Sequence, residues 1–181
     1  MQPAPIITEL NADMAGIETL EFVELYNPSR LPITTAGLSV VLINGGSGEP
    51  YETYDLSNPE LHWAPQTFLV IGDPSVAALM PEDTLFIAWE SSGSDHDIQN
   101  GNPDGVRLEH SGVNIDSLSY GGLIENVTEG VSGAPDDLNT EASTTISRCP
   151  HDVDTNENQA DFKLAPASPG QVNDCLDPEE P

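Results

Sequence analysis

The chain of 181 residues carries 31 Asp and Glu against 4 Lys and Arg, a formal net charge of −27. Such a surface repels phosphate backbones and anionic lipid, whose binding depends on basic side chains displacing counterions, so nucleic acid is excluded as a direct ligand. The length suits one domain that buries about 70% of its unfolded surface, and no apolar run approaches the roughly 18 to 20 residues of a membrane helix. The bland explanation of the acids is a solvated surface on an extracellular or salt-adapted protein; the sharper one is that some of them hold divalent cations.

With 37% apolar residues, and 15 Gly and 16 Pro scattered as turns, the composition suits an all-β protein with many loops. Residues 6–11 read as a first strand. The stretch from Glu21 to Pro28 alternates apolar and polar side chains and stops at Asn27-Pro28. Phe22, Glu24 and Tyr26 share one face and Val23, Leu25 and Asn27 the other, which predicts a strand apolar on both sides with its carboxylate at an edge. Residues 28–37 read as a turn region broken by Pro32. Leu38 to Asn44 and Tyr51 to Leu56 read as a hairpin across the glycine-rich loop 45–50. That loop lacks the Lys-Ser/Thr pair and helix of a phosphate cradle.

Pro65 to Gly72 is a mostly apolar strand, a single helical turn fits between Ser75 and Met80, and Thr84 to Trp89 is a further strand. A polar loop from Glu90 to Pro103 leads into a second hairpin, 105–110 and 114–120, with Val106 and Leu108 set against Ile115 and Leu118. Residues 121–142 are irregular and acidic, Thr144 to Arg148 and Asp161 to Leu164 form the last strands, and Asp174 to Pro181 has the composition of a linker. The expected division is a domain over 1–173 and an acidic Pro/Glu tail over 174–181, within a longer polypeptide.

Several of these stretches resemble the lamin tail domain family in its bacterial extracellular form. They are Ile6 to Leu10, Glu21 to Pro28, Leu42 to Gly48, Phe68 to Gly72, Gln99 to Val106, Asp116 to Gly122, Ser147 to Pro150, Asp154 to Asn158, Asp161-Phe162 and Pro166 to Gly170. They run in family order over nearly the whole chain. The resemblance implies an immunoglobulin-like β-sandwich of about nine or ten short strands with little or no helix. It also implies a non-catalytic module beside the hydrolases of secreted or surface proteins. Fold alone does not fix a ligand, and the partner, whether protein or surface glycan, stays open.

Cys149 and Cys175 lie in the C-terminal fifth. In an exported protein they would form a disulfide fastening the tail, contributing roughly 3 to 4 kcal/mol in the loop-entropy model; in the cytosol they would be two thiols. Their spacing excludes a CxxC motif or a cysteine zinc site. Met1 to Pro5 has no basic start and apolar core, so an extracellular or cell-surface protein would carry its export signal outside this sequence.

The leading site candidate is a calcium loop. Asp152, Asp154, Asn156 and Asn158 place an oxygen at every second position and Asp161 closes the run, as hard-cation loops do. Glu157 stands where an EF-hand needs glycine, however, and Lys163 where it needs a bidentate glutamate. The competing reading is a loop whose Asx side chains cap backbone amides. Asp95, Asp97, Asn100, Asn102 and Asp104 form a second acidic cluster. The four histidines, His62, His96, His110 and His151, have no zinc spacing, and no nucleophile motif is present. The alternatives to a binding module are a metal-dependent hydrolase or phosphodiesterase using the acidic loops, and a structural spacer. Asn126-Val127-Thr128 fits a glycosylation acceptor. Trp63 and Trp89 are the aromatics whose exposure would mark a binding patch.

Overall fold

The computed structural model describes residues 3–12, 19–89, 98–99, 101–137 and 144–175. Apolar alternation in the strands builds two main sheets. The larger orders β12 (Phe162–Pro166), β11 (Thr144–Arg148), β1 (Ile6–Asn11), β2 (Phe22–Tyr26), β7 (Phe68–Gly72) and β8 (Leu85–Ala88). The smaller orders β10 (Val113–Tyr120), β9 (Asp104–His110), β4 (Leu38–Asn44) and β5 (Glu49–Asp55). The chain is therefore an all-β sandwich. Between the sheets Ile7, Val23, Leu25, Leu69 and Ile71 meet Val40, Leu42, Val106, Leu108 and Leu118, with Trp63 and Trp89 in the same core.

Among the described strands pairing is antiparallel except between β7 and β8, which run parallel. Parallel neighbours need a crossover, and residues 73–84 supply it with a 3₁₀ turn at Pro74–Leu79. Val76 of that turn packs on Phe22 and Val70, covering one end of the larger sheet's outer face. On the smaller sheet Ile124 and Val127 cover the outward Val41 and Ile43. Both predicted hairpins form. In the second, a register shift after Asn114 sets Leu108 opposite Asp116, while Val106 faces Leu118 as its alternation requires.

Two local expectations are corrected. Glu24 does not sit at an edge: β2 lies between β1 and β7, and the carboxylate is fully buried on the sheet's outer face. The region 28–37 is not all turn, because Ile33–Thr34 (β3) pairs with His62–Trp63 (β6) in a two-stranded ribbon. Trp63 is anchored there through its indole N–H, which donates to the carbonyl of Thr67 at 3.1 Å. Asp161 ends a single helical turn, Asn158–Asp161, and β12 starts after it.

Candidate functional site

The chemistry of the molecule concentrates around Arg148, whose side chain is fully buried near the end of β11. A buried guanidinium needs a partner for each N–H. Nε donates to the carbonyl of Ile7 at 2.7 Å, Nη1 to Asp161 at 2.9 Å and Asp154 at 3.2 Å, and Nη2 to both oxygens of Asp116 at 3.2 Å. The guanidinium carbon stands 4.5 Å from the centroid of the Phe162 ring, close enough for cation–π attraction.

The strand register explains why Ile7 takes part. β1 pairs with β11 only at Glu9 and Leu10, so that edge of Ile7 faces no strand. Arg148 takes its carbonyl, and its N–H donates to Asp116 of the opposite sheet. One ion pair thus closes a gap in the larger sheet and ties the two sheets together.

The predicted cation loop divides among three roles. Asp161 is buried and accepts from Arg148 and from the backbone N–H of Thr155 at 2.9 Å. Asp154 accepts from Arg148 and from the N–H of Asn156 at 2.9 Å, an Asx-type turn that holds Asn156 at φ 57°. Asn158 turns away from them toward β10. Its carbonyl oxygen accepts from the N–H of Ser119 at 3.0 Å and of Glu129 at 3.1 Å, and its amide donates to the carbonyl of Ser117 at 2.8 Å. One side chain therefore pairs with the outer edge of β10 as a neighbouring strand would. Asp152 is exposed.

The structure does gather three carboxylates, with a different membership. Asp116, Glu129 and Asp154 each place an oxygen within 4.8 Å of the other two. All-oxygen donors suit a hard cation such as calcium, though the Arg148 guanidinium already contacts two of the three. Burial raises the Asp116 carboxyl to about 6 against the opposing pull of Arg148. It raises Glu129 to about 7, helped by the charges of Asp116 and Asp154.

A second polar centre, unforeseen from sequence, lies on the outer face of the larger sheet. Glu9 and Glu24 stand directly opposite each other on β1 and β2, both fully buried. Above them runs the segment after β12, residues 167–175, a strap whose end is fixed by a disulfide between Cys175 and Cys149. The strap meets the pair with neutral donors: the N–H and hydroxyl of Ser168 donate to Glu9, and the N–H of Gly170 to Glu24.

The remaining candidates are placed as follows. Trp63 and Trp89 are both buried, so neither offers an aromatic patch. His151 makes an edge contact with Tyr26 at 4.9 Å, and burial holds its imidazole below the ordinary range. Of the second acidic cluster, Asp104 is buried and accepts from the N–H of Gly45 at 2.8 Å, and Asn102 is exposed. Asp95, Asp97 and Asn100 lie outside the described residues, as does His96. Compared with known protein families and with curated proteins, the chain matches no family model and no curated sequence.

Proposed function

We propose that this chain is a non-catalytic extracellular or cell-surface accessory module of a larger secreted bacterial protein, built on the lamin-tail plan that its sequence resembles. The carrying observation is the use to which its buried acids are put. Asp116, Asp161, Glu9 and Glu24 all accept hydrogen bonds from the protein's own backbone or from Arg148. They serve as cross-braces between chain segments. The disulfide, typical of oxidising compartments, supports the extracellular part of the reading.

In this reading the cation of the junction is Arg148 itself. The alternative, a metal-dependent hydrolase or phosphodiesterase, draws on the convergence of Asp116, Glu129 and Asp154. Hydrolysis of an activated phosphodiester, bis(p-nitrophenyl) phosphate, in magnesium, manganese and calcium separates the two. The module should show no turnover above that of Asp154→Asn and Glu129→Gln variants. Metal-dependent turnover abolished by either substitution would replace the module with the hydrolase.

A further inference from the structure

We propose that Glu9 and Glu24 form a proton-gated latch, which holds the strap 167–175 on the sheet in acid and neutral solution and releases it in mildly alkaline solution. The inference goes beyond the module reading and does not depend on it. It rests on the placement of the two acids. They are Cα partners on adjacent strands, fully buried, and directly opposed like charges in a sheet repel.

Five donors serve the pair. Glu9 accepts from the Thr145 hydroxyl at 2.6 Å and from the N–H and hydroxyl of Ser168 at 2.9 and 3.1 Å. Glu24 accepts from the Thr8 hydroxyl at 2.8 Å and the Gly170 N–H at 2.6 Å. Three of the five belong to the strap. With the strap seated, water is excluded and one proton on the pair removes the repulsion. With both acids ionised, lifting the strap exchanges its donors for water and relieves two buried charges, which cost much unless compensated.

Among the described residues, the elements packed around the pair bring mostly neutral side chains, with Asp83 lining the same cavity as Gly170. β11 offers the neutral Thr145 and Ser147, β7 offers Val70 opposite Glu24, and the strap offers Ser168 and Asn173 beside the exposed Asp174. Lys163 of β12 stands across from Ser147 and gives its ammonium to the carbonyl of Cys175 at 2.6 Å. Farther along β2, Tyr26 meets His151 beside the exposed Asp152. Burial raises Glu9 to about 6, and burial together with the Glu9 charge raises Glu24 well above the usual range, in keeping with a retained proton.

Release would also have a local consequence. Gly170, at φ 77°, sits so close to Thr84 that a Cβ there would lie 2.5 Å from its hydroxyl. It forms one wall of a cavity of about 230 Å³ lined by Gln66, Thr67, Phe68, Asp83 and Thr84. Lifting the strap dismantles that cavity, while the disulfide keeps the strap tethered for return.

The test is amide hydrogen exchange on the oxidised full chain, corrected for intrinsic rates. Between about pH 6 and about pH 9, protection at Ser168 and Gly170 should fall about tenfold or more, while Val70 and Ile71 keep theirs. Glu24→Gln keeps an acceptor for Thr8 and Gly170 and removes the second charge, so its strap protection should not change with pH. A wild-type strap equally protected across the range, or one that loosens equally in Glu24→Gln, would overturn the latch. A carboxyl-carbon titration of the wild type needs no variant: at least one of the two glutamates should keep its proton to neutrality. Independent titration of both in the ordinary carboxylate range would overturn the proposal.

Discussion

Arg148 meets Asp116 through a single nitrogen, Nη2, placed 3.2 Å from each carboxylate oxygen, with both side chains fully buried and each on a different sheet. Because the pair also brackets both backbone groups of Ile7, removing the guanidinium strands a buried carboxylate and an unpaired carbonyl together. Arg148→Met should therefore cost about 3 to 5 kcal/mol in urea unfolding. Arg148→Lys should recover little of it, since one ammonium cannot reach Ile7, Asp116, Asp154 and Asp161 at once. An Arg148→Met protein as stable as the parent would show that the junction contributes nothing.

The dependence of stability on pH should run opposite to that of a protein held by carboxylates with depressed pKa values. Glu9, Asp116 and Glu129 are all raised by burial, to about 6, about 6 and about 7. Their folded state binds protons more tightly than the unfolded chain. The stability they contribute is fully present below the ordinary carboxylate range and is lost as pH rises through those values. The melting temperature should fall between about pH 5 and about pH 8 at constant ionic strength, and Glu129→Gln should flatten the upper part of that fall. Rising stability over the same interval would contradict the burial of these groups.

Asn158 replaces a strand at the edge of β10, and its side chain alone satisfies the N–H of Ser119, the N–H of Glu129 and the carbonyl of Ser117. Asn158→Ala leaves three backbone groups without that partner and should lower stability by roughly 2 to 3 kcal/mol. It also uncovers the strand edge. Light scattering should then show concentration-dependent association that the parent lacks.

The strap depends on its tether. Cys149 and Cys175 are 26 residues apart in sequence, so Cys175→Ser should cost roughly 3 to 4 kcal/mol in the loop-entropy model. Exchange should rise first at Ser168 and Gly170, before β1 or β2 is affected.

What the sequence made legible was whatever follows from local alternation and turn chemistry. Val40 to Ile43, Leu69 to Ile71 and the two hairpins announce themselves, because a buried strand must be apolar and a tight return needs glycine or proline. Asp116 was half legible: it shares its face with Leu118, so alternation alone turns it inward, where a carboxylate needs a partner. Arg148 carries the same signal two residues beyond Ile146. Their meeting was not readable, because 32 residues separate them and only the packing of two sheets brings them together. The run from Asp152 to Asp161 looked like a coordination shell because oxygens recurred. The short helical turn at Asn158–Asp161 sends Asn158 and Asp161 to different partners. The strap was hidden for a similar reason: Pro166 to Gly170 has no periodicity, and its place over Glu9 and Glu24 is set by the disulfide and two backbone N–H groups.

The claim that the C-terminal acids form an architectural junction completed by Arg148 is tested most directly by thermal unfolding in calcium and in chelator at fixed ionic strength, for the parent and for Asp154→Asn. A bound ion at 100 times its dissociation constant would add about 2.7 kcal/mol. With Arg148 as the cation of the junction, calcium should move both proteins by the same small amount. A large calcium shift in the parent that Asp154→Asn abolishes would contradict the account and make Asp116, Glu129 and Asp154 a metal site.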